Sequence, residues 1–156
     1  GPLASMTQRE RVVDYIKQGI DSGAKLLVGG NDFPQGLENG AYISPTLFAD
    51  VDREMVIAKE EIFGPVLCMM AYDSIEEAIE IANELEYGLS SAVWAENSEE
   101  AINIAHQLRA GQCFIQGSYF RLNAPFGGYK GSGNGREFGE AGLSEYQELK
   151  AIVLPD

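Results

Sequence analysis

Glu60-Glu61-Ile62-Phe63-Gly64-Pro65-Val66 sets two carboxylates, an aromatic ring and a Gly-Pro break at the start of an apolar run. Proline lacks an N–H and pushes the residue before it toward extended backbone, so a helix cannot cross this point. Val66 to Tyr72 then reads as a strand buried on both faces. Glu61 and Phe63 are therefore expected in a loop at the mouth of that strand. That is a place where α/β proteins put ligand contacts. Solvated acids in a helix-to-strand connector are the plainer alternative.

Other chemistry-bearing groups give weaker signals. The glycines of Gly127-Gly128-Tyr129-Lys130-Gly131-Ser132-Gly133-Asn134-Gly135-Arg136 do not make a phosphate loop, because Lys130 precedes Gly131-Ser132 instead of following a fixed spacer. A dinucleotide fingerprint would need a third glycine where Arg136 stands. These glycines are read as backbone-shaping. A cysteine nucleophile needs a base, a cation or a helix N-terminus beside it. Cys113 falls inside an apolar strand, and Cys68 is judged likewise. His106, the one histidine, is expected on a helix surface. Glu76, Glu77, Glu80, Glu99 and Glu100 occupy helix exteriors. No Cys/His cluster suggests a metal site.

The elements that must position these groups follow from pattern. Thr7 to Ser22 carries Val12, Val13, Ile16 and Ile20 at helical spacing and stops at Gly23. Ala24 to Val28 reads as a short strand. Ala41 to Val51 is extended, with Pro45 marking an edge or irregular strand. Arg53 to Glu60 reads as a short helix. Ser74 with Glu77, and Asn97 with Glu100, begin two helices by capping. The apolar faces of those helices are Ile75, Ala78, Ile79, Ala82 and Ala101, Ile102, Ala105, Leu108. Leu89 to Ala95 and Gln112 to Ile115 are strands. Strand, helix, strand, helix, strand predicts an α/β protein with a parallel βαβαβ sheet, flanking helices and an extended C-terminal strand. Gln116 to Gly139 leaves the third strand at its carboxyl end, where open parallel sheets meet ligands. Its aromatics argue for order. Leu143 to Leu154 reads as an extended tail whose strand needs a partner.

The net charge of −13 argues against nucleic acid or an anionic membrane as partner. No apolar run reaches the ~18 residues of a membrane span. Two cysteines in apolar contexts fit reduced thiols, and the location expected is cytoplasmic. Gly1 to Ser5 reads as a cloning scar, which leaves residues 6–140 as the main domain and 141–156 as the tail.

Several stretches taken together resemble the C-terminal half of NAD(P)-dependent aldehyde dehydrogenases. They are Lys59 to Val66, Ala82-Asn83 with Tyr87 to Ser90, Ala124 to Lys130, Ser132-Gly133 and Gly135-Arg136-Glu137. Gly23-Ala24-Lys25, Gly29-Gly30, Pro45-Thr46, Tyr146 and Lys150 also fit, so the likeness covers about residues 7–156. The resemblance implies that Glu61 holds the hydroxyls of the nicotinamide ribose and that Phe63 lies beside the nicotinamide ring. Phe126 would line the aldehyde channel, with Phe120 or Tyr119 lining it too. The tail would be an oligomerisation strand, which implies a homo-oligomer.

The family's nucleophilic cysteine, general-base glutamate and Rossmann domain would precede Thr7, so no catalytic residue is assigned within these residues. Cys113 aligns instead with the strand leading to the aromatic loop. Gln116 stands where the family usually has Asn, and the following loop is about one residue short. The whole enzyme would oxidise an aldehyde to a carboxylic acid with NAD or NADP, through a cysteine thiohemiacetal and thioester. The chain alone is expected to be inactive and to bind cofactor weakly. Two other readings stay open: a non-catalytic binding module on the same fold, and a coenzyme A-linked aldehyde dehydrogenase.

Overall fold

The structure, a computed structural model, describes residues 1–155. The chain divides into two compact units, Gly1–Asp73 and Ser74–Asp156.

The first unit is built on helix α1, Met6–Asp21. Val12 and Ile16 on one face are fully buried, and Tyr15 beside them nearly so. Gly23, at φ +95°, turns the chain out of the helix in a conformation that glycine adopts without strain. Strands β1 (Lys25–Val28) and β2 (Thr46–Ala49) pair antiparallel. Strand β3 (Val66–Cys68) pairs parallel with β2, in the order β1-β2-β3. The short helix α2, Val56–Lys59, packs against α1. Phe48 of β2, fully buried, joins Val12, Ile16, Ile57 and Ile62 in one apolar core. Burial of such side chains is the main stabilising term, at about 1.5–3 kcal/mol each.

Three expectations change here. Pro45 does not mark an edge strand: β2 is central, and Pro45 sits just before it, where a missing N–H breaks no ladder bond. The run Val66 to Tyr72 is not a strand buried on both faces. It is a three-residue edge strand with alternating burial. Val66, Cys68 and Met70 pack on the core, while Leu67 is 62% exposed. Residues 1–5, set aside as a scar, take part in the fold: Ser5 Oγ accepts from Gln8 N as the N-cap of α1, and Leu3 N donates to Ala41 O.

The second unit contains α3 (Ile75–Glu84), β4 (Tyr87–Gly88), β5 (Ser90–Val93), α4 (Ser98–Ala105), β6 (Gln112–Ile115), β7 (Tyr129–Lys130) and α5 (Gly139–Ser144). Both expected caps form: Ser74 Oγ accepts from Glu77 N at 3.1 Å, and Asn97 Oδ1 from Glu100 N at 2.9 Å. Strands β5 and β6 pair parallel with α4 between them, which is one βαβ unit. The α/β class holds. Within the first unit β3 bonds to β2, and within the second β5 bonds to β6. Strands β4 and β7 pair antiparallel, and Phe126 bridges Glu137, so the glycine-rich loop returns as a framed hairpin. Helix α5 runs through the 140/141 boundary expected for the tail, and Leu143 is helical. No strand follows among the described residues. Leu149, Ile152, Val153 and Leu154 are exposed, and Asp156, the last residue of the expected tail, lies outside the described residues.

Candidate functional site

Helix α1 holds the Glu60–Gly64 stretch with one face. Gln8 Nε2 donates to Ile62 O at 3.1 Å and to Phe63 O at 3.0 Å. Arg11 Nη2 donates to Glu61 O at 3.2 Å. Tyr15 OH donates to Glu60 Oε2 at 2.6 Å. A Cβ on Gly64 would stand 2.6 Å from Val12 Cγ2, so only glycine lets the loop approach this closely. Gln8, Arg11, Val12 and Tyr15 share a face because helical neighbours recur at three and four residues.

The two adjacent acids are thereby separated. Glu60 is tied down by the Tyr15 hydroxyl. The Glu61 carboxylate has no hydrogen-bond or ion-pair partner among the described residues and is exposed. Phe63 is 67% exposed and sits at φ +52°, a left-handed conformation costly for a bulky side chain. Ile62, between them, is buried in the core. An anchored loop thus carries a free carboxylate and a bare aromatic ring, which suits a ligand bearing a diol and a planar ring.

In the second unit, Phe120 and Phe126 meet edge to face, with ring centroids 6.0 Å apart. Phe138 completes a triangle, 5.5 Å from Phe120 and 6.4 Å from Phe126. Tyr119 is 84% exposed and stays outside the triangle. Phe138 was not foreseen. Its signal was weak: it is the N-cap of a short glycine-bearing helix, at φ +59°. The aromatic triangle is an apolar surface fit for an uncharged chain.

The Gly127–Gly135 stretch behaves as a shaped backbone. A Cβ on Gly111 would fall 1.6 Å from Gly127 O, and one on Gly128 2.4 Å from Ser132 Cβ. Arg136 Nη1 donates to the carbonyls of Gly128, Asn134 and Gly135, which turns the guanidinium inward as a brace. Lys130 Nζ donates to Asn83 O at 2.9 Å and Leu85 O at 2.7 Å and so satisfies the end of α3. Asn83 also accepts from Arg109 N and donates to Gln107 O. Neither Lys130 nor Asn83 was assigned this role from sequence, because each partner lies more than twenty residues away.

The cysteines are half-buried thiols. Burial pushes Cys68 above the ordinary thiol range, and its Sγ donates to Ile57 O. His106 is the exposed C-cap of α4. No described helix is long and apolar enough to cross a membrane.

The fold is that of an α/β protein, with the Glu60–Gly64 loop held by helix α1 and the aromatic loop framed by glycines and the Phe126–Glu137 bridge. The sequence profile of the aldehyde dehydrogenase family matches residues 1–152, and the chain belongs to that family. It is 52% identical over 153 residues to a 3-succinoylsemialdehyde-pyridine dehydrogenase of a Pseudomonas species, with 98% of this chain aligned to 32% of that protein. An aldehyde dehydrogenase of Mycobacterium tuberculosis, solved with NAD+, superposes at a TM-score of 0.95 with 49% identity, over 99% of this chain and 32% of that one. Aldehyde dehydrogenase C of Pseudomonas syringae, a mutant solved with NAD+ and octanal, gives 0.95 with 52% identity over 98% and 32%. The chain spans about a third of the length of these relatives.

Proposed function

We propose that the chain forms part of the catalytic domain of a dehydrogenase that oxidises an aldehyde to a carboxylic acid with NAD or NADP. The observation that carries this reading is the division of labour at Glu60-Glu61: one acid is bound by Tyr15, and the other is left as a free carboxylate beside the bare ring of Phe63. The residues fit the cofactor's chemistry. Glu61 can accept two hydrogen bonds from vicinal ribose hydroxyls, and Phe63 can flank the nicotinamide ring. When bound, the nicotinamide supplies the hydride acceptor. Phe120, Phe126 and Phe138 give an apolar surface for the aldehyde's chain, and Tyr119 stands at its margin. The nucleophilic cysteine, general base and dinucleotide-binding domain belong to the remainder of the longer protein.

The tail from residue 141 is proposed to pair with another copy of the protein. The free cysteines support a cytoplasmic location.

In the full-length dehydrogenase, Glu61→Gln is expected to raise KM for NAD+ by about tenfold, through one weakened charge-assisted pair. An unchanged KM would remove Glu61 from the site. The 156-residue chain alone, given NAD+ and an aliphatic aldehyde, is expected to make no NADH. Robust NADH production abolished by Cys113→Ala would overturn the assignment of the nucleophile elsewhere.

A further inference from the structure

We propose that Gln8 is the positioning residue of the Glu61–Phe63 wall; the inference rests on reading Glu61 and Phe63 as cofactor contacts. In extended backbone, successive carbonyls point to opposite sides. At Phe63 the left-handed backbone, φ +52°, turns the carbonyls of Ile62 and Phe63 to one side. One amide nitrogen then reaches both, at 3.1 and 3.0 Å. Such a conformation persists only where its surroundings over-determine it. Gln8 meets that need from one side, and Gly64 closing on Val12 meets it from the other.

The alternative use of Gln8 is visible in the same residues. Ser5 to Gln8 has the spacing of a capping box, in which the third residue of the helix reaches back to the cap's own N–H. Ser5 supplies its half, accepting from Gln8 N. The Gln8 amide nitrogen is directed instead to the loop, more than fifty residues away in sequence. Gln8 therefore ties a cofactor-side conformation to the first turn of α1.

Gln8→Glu separates the two roles. A carboxylate of the same size completes the capping box and favours the helix N-terminus, yet it cannot donate to two carbonyls. Hydrogen exchange on the 156-residue chain, without cofactor, reads the loop directly. In both Gln8→Ala and Gln8→Glu, the Val66 amide, which donates to Gly64 O, and the Thr46 amide, which donates to Pro65 O, are expected to exchange about tenfold faster, as loss of a typical hydrogen bond implies. Amides of Val12 to Gly19 should keep their protection, which shows the helix intact. If Gln8→Glu leaves loop exchange at the wild-type rate, the proposal is overturned. If Gln8→Ala frays the helix, Gln8→Glu alone decides.

In the full-length enzyme, both Gln8 variants and Glu61→Gln are expected to raise KM for NAD+ with kcat within about twofold of wild type. An effect of Glu61→Gln with none from Gln8 sinks the positioning role and spares the site. No effect of Glu61→Gln, with loop exchange still accelerated by the Gln8 variants, sinks the site reading instead.

Discussion

The two units are held together by different physics. In Gly1–Asp73 a contiguous apolar core runs through Val12, Ile16, Phe48, Ile57 and Ile62. In Ser74–Asp156 the buried hydrophobic side chains among the described residues are Val93 and Ala101, and no residue of helix α3 is fully buried. That unit relies on caps, on close backbone contact at glycines, and on Lys130, Asn83 and Arg136 donating to carbonyls. The difference matters for the candidate site. Glu61 and Phe63 stand on a loop anchored to a packed helix. Phe120, Phe126 and Phe138 stand on a loop shaped by glycines. A packed core resists deformation, whereas a polar frame fails where one donor is lost.

Breaking each unit by its own means tests the contrast. Phe48→Ala empties the centre of the first core and is expected to cost roughly 3–5 kcal/mol. Urea unfolding followed by hydrogen exchange should show the loss in α1 and β1 to β3, with β5, α4 and β6 spared. Gly111→Ala forces a methyl group into Gly127 O, with an expected cost of about 2–4 kcal/mol confined to the second unit. The same measurement reads it, and an effect spread equally over both units would erase the distinction. Lys130→Met removes two charge-assisted bonds at the end of α3 and should cost about 1.5–3 kcal/mol, with β4 and β7 the first peptides to exchange. Asn97→Ala removes one cap and should cost about 1 kcal/mol.

The smallest effect belongs to the first unit. Burial raises Cys68, so the folded state disfavours its thiolate. Its folded value lies above its unfolded one, and its contribution is intact below the unfolded thiol range. Stability should fall as pH rises through the alkaline range toward the folded value, and Cys68→Ser should flatten that slope in pH-dependent melting. An unaltered slope would show that the thiol is solvated like a free one.

The reach of the sequence follows the same division. Local signals were legible: the span of α1, both caps and the strand Gln112–Ile115 all lie within a few residues of their determinants. The burial of Val66 to Tyr72 was misread because an apolar run does not say how many faces are covered; Leu67 shows that one is not. Glu61 was picked out with Phe63, but its difference from Glu60 was invisible, because the Tyr15 hydroxyl comes from a helix far upstream. Phe138 escaped for a related reason: its two ring partners depend on the bridge between Phe126 and Glu137. Gln116 adds a local lesson. It occupies φ +50°, a conformation Asn tolerates better than Gln. This chain adopts that backbone with Gln all the same, and Gln116 Nε2 donates to Ala95 O.

The two-residue ladder of Tyr87-Gly88 with Tyr129-Lys130 bears on how this protein can diversify. It clasps the ends of a long excursion that includes β5, α4, β6 and the aromatic loop. The entropy of closing such an excursion grows only logarithmically with its length, so doubling it would cost about 0.6 kcal/mol. Residues gained or lost between Gln116 and Pro125 therefore leave the clasp nearly indifferent. The aromatic loop can thus lengthen or shorten while β5, α4 and β6 stay put.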